Sequence, residues 1–362
     1  MQSIFDDLII LEFANNHMGD VDHGIAMVRA FADVCRDFPF RFAVKFQYRH
    51  LETFIHESHQ GDYSIRLLKR IQETALTVEQ FATLRRAVKD HGFLTACTPF
   101  DETSAERVAA EKYDFMKIAS CSVGEWPLIE TIGSFDLPII FSTAGADRET
   151  VEKTYRFFES RKKTFAMLHC VGAYPTDPLQ SSMNQLDVFR RMFPDAVLGY
   201  SGHEEPDDTT VAMIAVAKGA KIFERHVALP TKKYKPNDYS SSPEQVRRWL
   251  TAIHRAKQIC GGEDFRNIDE KERYDLFLIR RACYLRCNKK KGETLTHNDF
   301  WFATPNVEGY LMVCDLPTDG MLLAKEDLPA GKPVRRESVA SKQSVFPAAG
   351  VKKPDSVSKS QE

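Results

Sequence analysis

The sequence predicts a (β/α)8 TIM barrel followed by a small β-rich domain. Eight short apolar runs alternate with eight stretches of helical period, which is typical of parallel strands joined by helices. The 362 residues exceed the roughly 250 of an ordinary barrel, which leaves room for a second domain. A doubly wound open sheet is the alternative, but such sheets usually have about five or six strands and a Gly-x-Gly-x-x-Gly turn after the first, which this sequence lacks.

The individual elements follow from hydrophobic period and from punctuating residues. Helices are expected to begin at capping residues such as Thr77, Asp101 and Ser242. Runs typical of buried strands cover residues 8–13, 42–46, 93–97, 115–118, 138–142, 164–170, 196–200 and 221–226. Helical period covers residues 20–37, 78–91, 102–112, 124–134, 147–161, 182–193, 207–218 and 243–260.

Changes in composition along the chain predict its domain boundaries. The barrel is expected to span residues 1–262, and the polar residues 263–279 predict a linker. Short apolar runs with Gly and Pro turns over residues 280–340 predict the small β-rich domain. Ser, Lys, Pro and Gln dominate residues 341–362, which predicts a disordered tail.

Composition and charge favour a cytoplasmic globular protein without nucleic-acid or membrane partners. The 49 basic and 51 acidic residues nearly cancel, so the overall charge gives no reason to expect binding to DNA or to an anionic membrane. No run approaches the roughly 18 apolar residues of a membrane helix. Asp6 and Asp7 stand where a signal peptide would be basic. Eight cysteines without a Cys-x-x-Cys pair indicate reduced thiols.

Polar residues lie at the ends of the predicted strands, and in a barrel these ends converge on one rim. The connections 48–76 and 227–242 also follow strands and are longer than usual barrel turns, so we expect both on the same rim. The polar residues at or just after the strand ends are Glu12, Lys45, Gln47, Thr98, Lys117, Ser120, Ser142, His169, Ser201, His203 and His226.

This set of residues supports two kinds of chemistry. Lys45 and Lys117, with several hydroxyl groups, suit an anion that bears a phosphate and a carboxylate, although an inward lysine can also simply pair with Glu12. His203 and His226, on neighbouring strands, can share one divalent metal ion that keeps coordination positions open for a substrate. The pattern therefore predicts a rim site for an anionic substrate, with a metal ion as candidate cofactor.

Eight short motifs lie in a fixed order along residues 11–229. They begin with LEFANNHMGD at residues 11–20, and the others are VKFQ, TPFD, KIAS, STAGA, LHCVGAYPT, GYSGHE and FERHVAL. This order resembles the sialic acid synthase family, the phosphoenolpyruvate-condensing enzymes that make nonulosonic acids. The resemblance implies a (β/α)8 barrel followed by an antifreeze-like (SAF, β-clip) domain, which residues 280–338 resemble in divergent form.

The resemblance also implies a reaction and roles for individual residues. The family condenses phosphoenolpyruvate with an open-chain N-acyl hexosamine and uses a divalent ion, often Mn²⁺ or Mg²⁺, on histidines that match His203 and His226. Glu12 matches a carboxylate near the reacting atoms, and Asp238 matches an acidic loop residue that contacts the sugar. We also expect a domain-swapped homodimer, in which the small domain caps a partner's barrel. The remaining residues expected to bind or act on substrate are Lys45, Gln47, Thr98, Lys117, Ser120, Ser142, Tyr174 and Ser201.

Departures from the family pattern lie mainly where the sugar would be recognised. Gly172 stands where members commonly have Ser or Asn, and Gly202 replaces an Asp. Tyr239 replaces a loop histidine, and Thr304 stands at an arginine that reaches the partner's sugar site. We therefore expect retained chemistry on N-acetylmannosamine, its 6-phosphate or a modified hexose.

Two other functions stay open from the sequence. A Schiff-base aldolase on the same barrel would use Lys45 or Lys117 and would need no metal ion. A non-catalytic descendant that binds a sugar or a protein partner would keep the fold but release no phosphate, and the loop departures favour it.

Overall fold

Eight parallel strands close into a barrel in the first of two units, Met1–Gly261 and Gly262–Glu362. The computed structural model describes residues 3–262, 264–318 and 321–341. The predicted barrel is confirmed, and the doubly wound alternative is wrong because the last strand pairs with the first and leaves no open edge. The strands are β1 Leu8–Glu12, β2 Arg41–Tyr48, β3 Leu94–Pro99, β4 Phe115–Ile118, β5 Ile139–Ser142, β6 Phe165–Cys170, β7 Val197–Gly202 and β8 Ile222–His226.

At least one helix follows each strand of the barrel, as the alternating pattern predicted. The expected caps are present: the side chains of Thr77, Asp101 and Ser242 each accept a hydrogen bond from a backbone N–H in the first helical turn. The helices are α1 Val21–Cys35, α2 Leu51–Phe54, α3 Arg66–Glu73, α4 Val78–Asp90, α5 Glu102–Ala110, α6 Trp126–Ser134, α7 Arg148–Ser160, α8 Gln185–Met192, α9 Thr210–Ala217 and α10 Pro243–Cys260.

The long connection after β2 contains two helices, α2 and α3, that hydrophobic period did not predict. Helix α3 consists mostly of unbranched residues with good helix propensity. Ile71 is buried and anchors it, and Thr74 Oγ1 donates to the Arg70 carbonyl oxygen at 2.7 Å at its end. Arg66 and Arg70 are four residues apart and therefore lie on one face of the helix.

The lower part of the barrel interior is apolar and forms a floor beneath the rim. Alternate residues of each strand point inward, which separates this inner cluster from the larger core between strands and helices. At Gly199 a Cβ atom would lie 2.5 Å from the Ile222 carbonyl oxygen, so only glycine fits there. The inner cluster consists of Phe5, Leu8, Ile10, Ala43, Ala96, Phe115, Ile140, Ala166, Leu168 and Ile222.

The second unit contains the small β domain that the sequence predicted. Its strands are β9 Ala282–Leu285, β10 Thr294–Leu295, β11 Phe300–Ala303, β12 Leu322–Ala324 and β13 Val339–Ser341. They form one three-stranded sheet in the order β10-β12-β13 and one two-stranded sheet of β9 and β11 around an apolar core that includes Leu285, Phe300 and Leu322.

Helix α11 (Glu270–Ile279) lies within residues 263–279, the stretch predicted as a linker, so this stretch is partly helical. The Asp269 side chain caps this helix by accepting from the Glu272 N–H at 2.7 Å, and Phe277 is buried. The predicted disordered tail, 341–362, lies outside the described residues except for Ser341, which ends β13. Within the described ranges, every helix is too short or too polar to span a bilayer.

Candidate active site

A ring of mostly polar side chains lies above the apolar floor, with one residue from each of the eight strands. Each lies two positions after an inward residue of the floor or, on β7, after Gly199, so the two-residue period of a strand places both inside the barrel. The ring encloses a cavity of about 180 Å³. Its members in strand order are Glu12, Lys45, Thr98, Lys117, Ser142, Cys170, Ser201 and Glu224.

Glu224 holds the lysine of the fourth strand and is a site residue that the sequence analysis missed. Lys117 Nζ donates to both carboxylate oxygens of Glu224, at 2.9 and 2.8 Å, and Ser201 Oγ donates to Oε1 at 3.0 Å. Burial opposes ionisation of Glu224, but the charges of Lys117 and Lys45 outweigh it and lower its pKa. Burial lowers the pKa of Lys117, and Glu224 opposes that effect. The available signal was position, because Glu224 lies two residues before His226 on the same strand.

Glu12 and Lys45 form a second buried ion pair, between β1 and β2. Lys45 Nζ also donates to Thr98 Oγ1 at 3.0 Å and lies 3.8 Å from Glu224 Oε1, which brings the two pairs together. Burial raises the pKa of Glu12 despite the charge of Lys45. For Lys45, the carboxylates outweigh burial and raise its pKa. The sequence alternative in which a lysine pairs with Glu12 is therefore realised by Lys45, and the formal charges of the two pairs cancel.

Further polar groups line the same cavity. Ser142 Oγ is buried and has no hydrogen-bond partner among the described residues, so it is a donor available to a ligand. Ser120 Oγ accepts from the Ala144 N–H at 3.1 Å, just beyond β4. Gln47 Oε1 accepts from Arg49 Nη2 at 3.1 Å. The cavity therefore offers hydroxyl and amide groups beside its two ion pairs.

His203 and His226 lie next to each other at this cavity, with ring centroids 5.3 Å apart. His203 Nδ1 lies 3.0 Å from the Val171 carbonyl oxygen; donation to that oxygen leaves Nε2 with a free lone pair. Burial lowers the pKa of His203 to about 4 and that of His226 well below its usual range, so both rings are neutral at pH 7.

The donor set of this histidine pair fits a catalytic ion better than a structural one. Within the described ranges, no three or more His, Cys, Asp or Glu residues are grouped to hold a metal ion. An ion bound by two neutral imidazoles would therefore take its other ligands from substrate or water, which is usual for catalytic metal sites. The hydrogen bond from His203 to a backbone carbonyl is the kind that orients a metal-binding imidazole.

Two tyrosines pack against the histidine pair. The ring centroids of Tyr174 and His203 are 4.2 Å apart, and those of Tyr239 and His226 are 5.2 Å apart. The two tyrosine rings are themselves 5.2 Å apart. Tyr174 lines the inner cavity and Tyr239 does not, so the tyrosine that replaces a family histidine lies just outside the ring.

Two polar residues named from the sequence lie away from the ring. His169 points to the outside of β6, where its Nε2 lies 2.7 Å from the Ser181 carbonyl oxygen. Asp238 is exposed and does not line the cavity, whereas its neighbours Asn237 and Tyr239 line a second cavity beside it. The other eleven predicted site residues line the inner cavity: Glu12, Lys45, Gln47, Thr98, Lys117, Ser120, Ser142, Tyr174, Ser201, His203 and His226.

The second cavity is larger, about 790 Å³, and is referred to here as the outer cavity. Gln47 and His226 line both cavities, so a ligand in the outer cavity can reach the inner one. Helix α3 and the segment after β8 supply much of its wall. Glu73 is the carboxylate in its lining, whereas the basic side chains there are Arg49, Arg66, Lys69, Arg70 and Lys235.

Comparison with known proteins gives a consistent assignment. Residues 42–264 match the NeuB family. The chain is 25% identical over 293 residues to the N-acetylneuraminate-9-phosphate synthase of Homo sapiens, which covers 79% of this chain and 77% of that protein. It is 23% identical over 309 residues to the N,N'-diacetyllegionaminic acid synthase of Campylobacter jejuni, which covers 82% of this chain and 90% of that protein.

A solved structure is similar over nearly the whole chain. It is a protein from Chromobacterium violaceum assigned to spore coat polysaccharide biosynthesis as protein E. The two align with a TM-score of 0.90 at 41% identity, covering 92% of this chain and 100% of that one. The family match spans more than half of the 362 residues, and the two relatives named above are acid synthases. The chain belongs to the NeuB family of sialic-acid-synthase-like enzymes.

Proposed function

We propose that the protein condenses phosphoenolpyruvate with an open-chain N-acyl hexosamine to give a nonulosonic acid and inorganic phosphate. The observation that carries this proposal is the pair of connected cavities at the barrel rim. The inner cavity offers two lysines and several hydroxyl groups, and the outer cavity has room for a hexose. Gln47 and His226 belong to both, where the two substrates would meet.

Phosphoenolpyruvate would occupy the inner cavity. Its phosphate carries a charge of roughly −2 near neutral pH, and its carboxylate carries one more. Lys45 and Lys117 each supply a point charge, and Ser142 Oγ supplies a donor without another partner among the described residues.

The reaction forms one carbon–carbon bond, adds the oxygen of one water molecule to C2 and breaks the bond from C2 to the phosphate ester oxygen. C3 of phosphoenolpyruvate attacks the sugar aldehyde carbon, whose oxygen takes up the electron pair and a proton, while water adds to C2 and loses a proton. The bond from C2 to the phosphate oxygen then breaks with its electron pair, and the C2 hydroxyl gives its proton to the departing phosphate, which leaves a keto acid and inorganic phosphate. Lys45 and Lys117 stabilise the charge on the departing phosphate. Glu12 lies in the inner cavity to accept the proton that the attacking water loses.

His203 and His226 would hold a divalent ion, Mn²⁺ or Mg²⁺, through their neutral rings. Such an ion supplies Lewis-acid polarisation of the aldehyde. The chain itself orients the rings, through the Val171 carbonyl at His203 and through packing of Tyr174 and Tyr239. This support keeps both rings directed into the space where the aldehyde would lie.

We also propose a homodimer in which the small domain of one chain caps the barrel rim of its partner. Among the described residues, the apolar core cluster of this domain has ten buried members, which is small for independent stability. Thr304 stands where the family pattern has an arginine, so the docking would be structural without that sugar contact. Sedimentation at micromolar concentration should give a dimer, and a fully active monomer would contradict this proposal.

A Schiff-base aldolase is the second candidate, and the lowered pKa of Lys117 is the observation that favours it. The two hydrogen bonds from Lys117 to Glu224 oppose it, because they stabilise the ammonium rather than the free amine. Borohydride with pyruvate would trap such a lysine covalently. The synthase that we propose should give no adduct under the same conditions.

The decisive assay measures phosphate release from phosphoenolpyruvate with a panel of N-acyl hexosamines, with and without Mn²⁺. We expect release only when an acceptor sugar is present, and stimulation by Mn²⁺. Mass spectrometry of the product should show an acid with three more carbons than the sugar. Absence of release with every acceptor would contradict the proposed function and favour a non-catalytic descendant.

A further inference from the structure

We propose that the acceptor sugar carries a phosphate monoester at the end remote from its aldehyde, and that Arg66 and Arg70 of α3 bind this phosphate with Lys235 across the outer cavity. This inference rests on the proposed function and narrows its second substrate to an anionic class. It assigns a role in substrate specificity to α3, a helix that the hydrophobic period of the sequence did not predict and that the proposed reaction does not use.

The first argument is the excess of positive charge in the outer cavity. Five basic side chains and one carboxylate, Glu73, line it. Glu73 lies 3.9 Å from the exposed Lys69 ammonium and pairs with it weakly. A neutral sugar needs both hydrogen-bond donors and acceptors, and it does not explain an excess of cations. An anionic substituent on the sugar would explain that excess.

The second argument is that two cations of α3 and the lysine facing them have no carboxylate partner. Arg70 Nη2 donates to the Asn15 carbonyl oxygen at 3.2 Å, and Arg70 is partly buried. Within the described residues, Arg66, Arg70 and Lys235 form no ion pair with any carboxylate. Burial of a guanidinium without an anionic partner costs desolvation free energy, and a ligand anion beside Arg70 would offset that cost.

The third argument is the contrast with the inner cavity. There Lys117 pairs with Glu224 and Lys45 pairs with Glu12, so the formal charges cancel. Phosphoenolpyruvate in the inner cavity would contact Lys45 and Lys117 but none of the basic side chains that line the outer cavity. The two cavities share Gln47 and His226 in their linings, so the outer basic side chains would be balanced by a second anion, on the other substrate.

Geometry favours a phosphate over a single hydroxyl or amide. Arg66 and Arg70 are separated by one helical turn, so their guanidinium groups project from the same face of α3. Guanidinium forks match the tetrahedral oxygens of a phosphate and can bind it in a bidentate manner. With the aldehyde beside His226, the far end of an extended sugar would point to α3.

The test compares acceptors that differ only in the remote group. Phosphate release is measured with N-acetylmannosamine, N-acetylmannosamine 6-phosphate and N-acetylmannosaminuronic acid. We expect kcat/KM for the 6-phosphate to exceed that for the neutral sugar by at least a hundredfold, since each charge-assisted contact contributes about tenfold or more. Equal values for the two sugars would overturn the inference, and preference for the uronate would replace the phosphate by a carboxylate and overturn it in this form.

Variants assign the effect to α3. Arg66→Gln with Arg70→Gln should reduce the ratio of kcat/KM between phosphorylated and neutral acceptor by at least thirtyfold, whereas Arg86→Gln, at an exposed position of α4, should leave the ratio unchanged. Thermal unfolding midpoints confirm that each variant is folded. A ratio that the double variant leaves unchanged would overturn the inference.

A binding arm separates this inference from the proposed function. Calorimetric titration of N-acetylmannosamine 6-phosphate needs no turnover, and we expect the double variant to bind it at least thirtyfold more weakly than the wild type. If no acceptor releases phosphate but this difference in binding is found, the proposed function fails and the phosphate site stands. If phosphate is released with the neutral sugar and the two proteins bind the 6-phosphate equally, the proposed function stands and the phosphate site is contradicted.

Discussion

The inner and outer cavities of the barrel rim differ in how their charged side chains are balanced. In the inner cavity, each lysine pairs with a carboxylate from a neighbouring or facing strand, above an apolar floor. In the outer cavity, five basic side chains share one carboxylate. The inner cavity is built from strand ends, whereas the outer one is built largely from α3 and the segment after β8.

Under the proposed function, this difference would separate two tasks, the condensation itself and the recognition of the sugar. Strand ends are held by the barrel ladder and by packing, so they can keep buried charges in fixed positions. Connections tolerate changes in sequence and length, so they can change which sugar is accepted without disturbing the reaction centre. The departures from the family pattern at Tyr239 and around Asp238 lie on this second, variable side.

The largest effect is expected when one lysine of the inner cavity is removed, because its carboxylate partner is then left unpaired. Lys117→Met leaves Glu224 buried without its main partner, and the free energy of unfolding should fall by about 3–5 kcal/mol. Arg66→Gln in the outer cavity should change it by less than about 0.5 kcal/mol, because Arg66 is exposed. Urea denaturation measures both. A Lys117→Met variant no less stable than Arg66→Gln would contradict the contrast between the cavities.

A second effect follows from the neutral histidines at the inner cavity. The pKa of His203 is about 4 when folded, below its value of 6.5 when unfolded, so the unfolded chain binds more protons between these values. Stability from this residue is fully present above pH 6.5 and is lost as pH falls toward 4, by about 3 kcal/mol. His203→Gln should remove that part of the slope in unfolding free energy against pH. An unchanged slope would mean that His203 is not held neutral.

A smaller effect tests the free hydroxyl of the inner cavity. Ser142→Ala should weaken phosphoenolpyruvate binding by about tenfold, because one hydrogen bond to a charged ligand is lost. The unfolding free energy should change by less than about 0.5 kcal/mol, since Ser142 Oγ has no partner among the described residues. Ser160→Ala on the exposed end of α7 is the matched control. Unchanged affinity in Ser142→Ala would place the ligand elsewhere.

The smallest effect is a difference between the two cavities in how strongly salt weakens substrate binding. The Debye length falls from about 10 Å at 0.1 M salt to about 3 Å at 1 M, so exposed charges are screened and buried pairs much less. The KM for a phosphorylated acceptor should rise several-fold over this range, whereas the KM for phosphoenolpyruvate should rise less than about twofold. Steady-state kinetics with sodium chloride measure both. Equal salt dependence would contradict the assignment of exposed cations to the acceptor.

The sequence was sufficient to predict the barrel and most residues that line the inner cavity, because polar residues at the ends of parallel strands converge on one rim of a barrel. Position at a strand end does not by itself give the direction of a side chain, and His169 points to the outside of β6. Glu224 was missed because an acid inside an apolar strand gives no periodic signal of its own, and only its spacing from His226 indicated its direction.

The outer cavity could not be predicted in the same way. Helix α3 has no side-chain cap at Ile65, so no start signal precedes it, and its position depends on the tertiary contact of Ile71. Asp238 was expected to face the sugar, but it is exposed, and Asn237 and Tyr239 line the cavity instead. Loop orientation depends on such contacts between distant segments, which a local pattern does not contain.

Calorimetric titration with phosphoenolpyruvate tests the central claim, that the inner cavity binds this anion, most directly. The variant is Lys117→Met with Glu224→Gln, which removes one charge of each sign and leaves no buried carboxylate without its lysine partner. Thermal unfolding establishes that it is folded. The account predicts saturable binding by the wild type and at least tenfold weaker binding by the variant, since one charge-assisted contact is lost. Equal affinity in the two proteins would contradict the account.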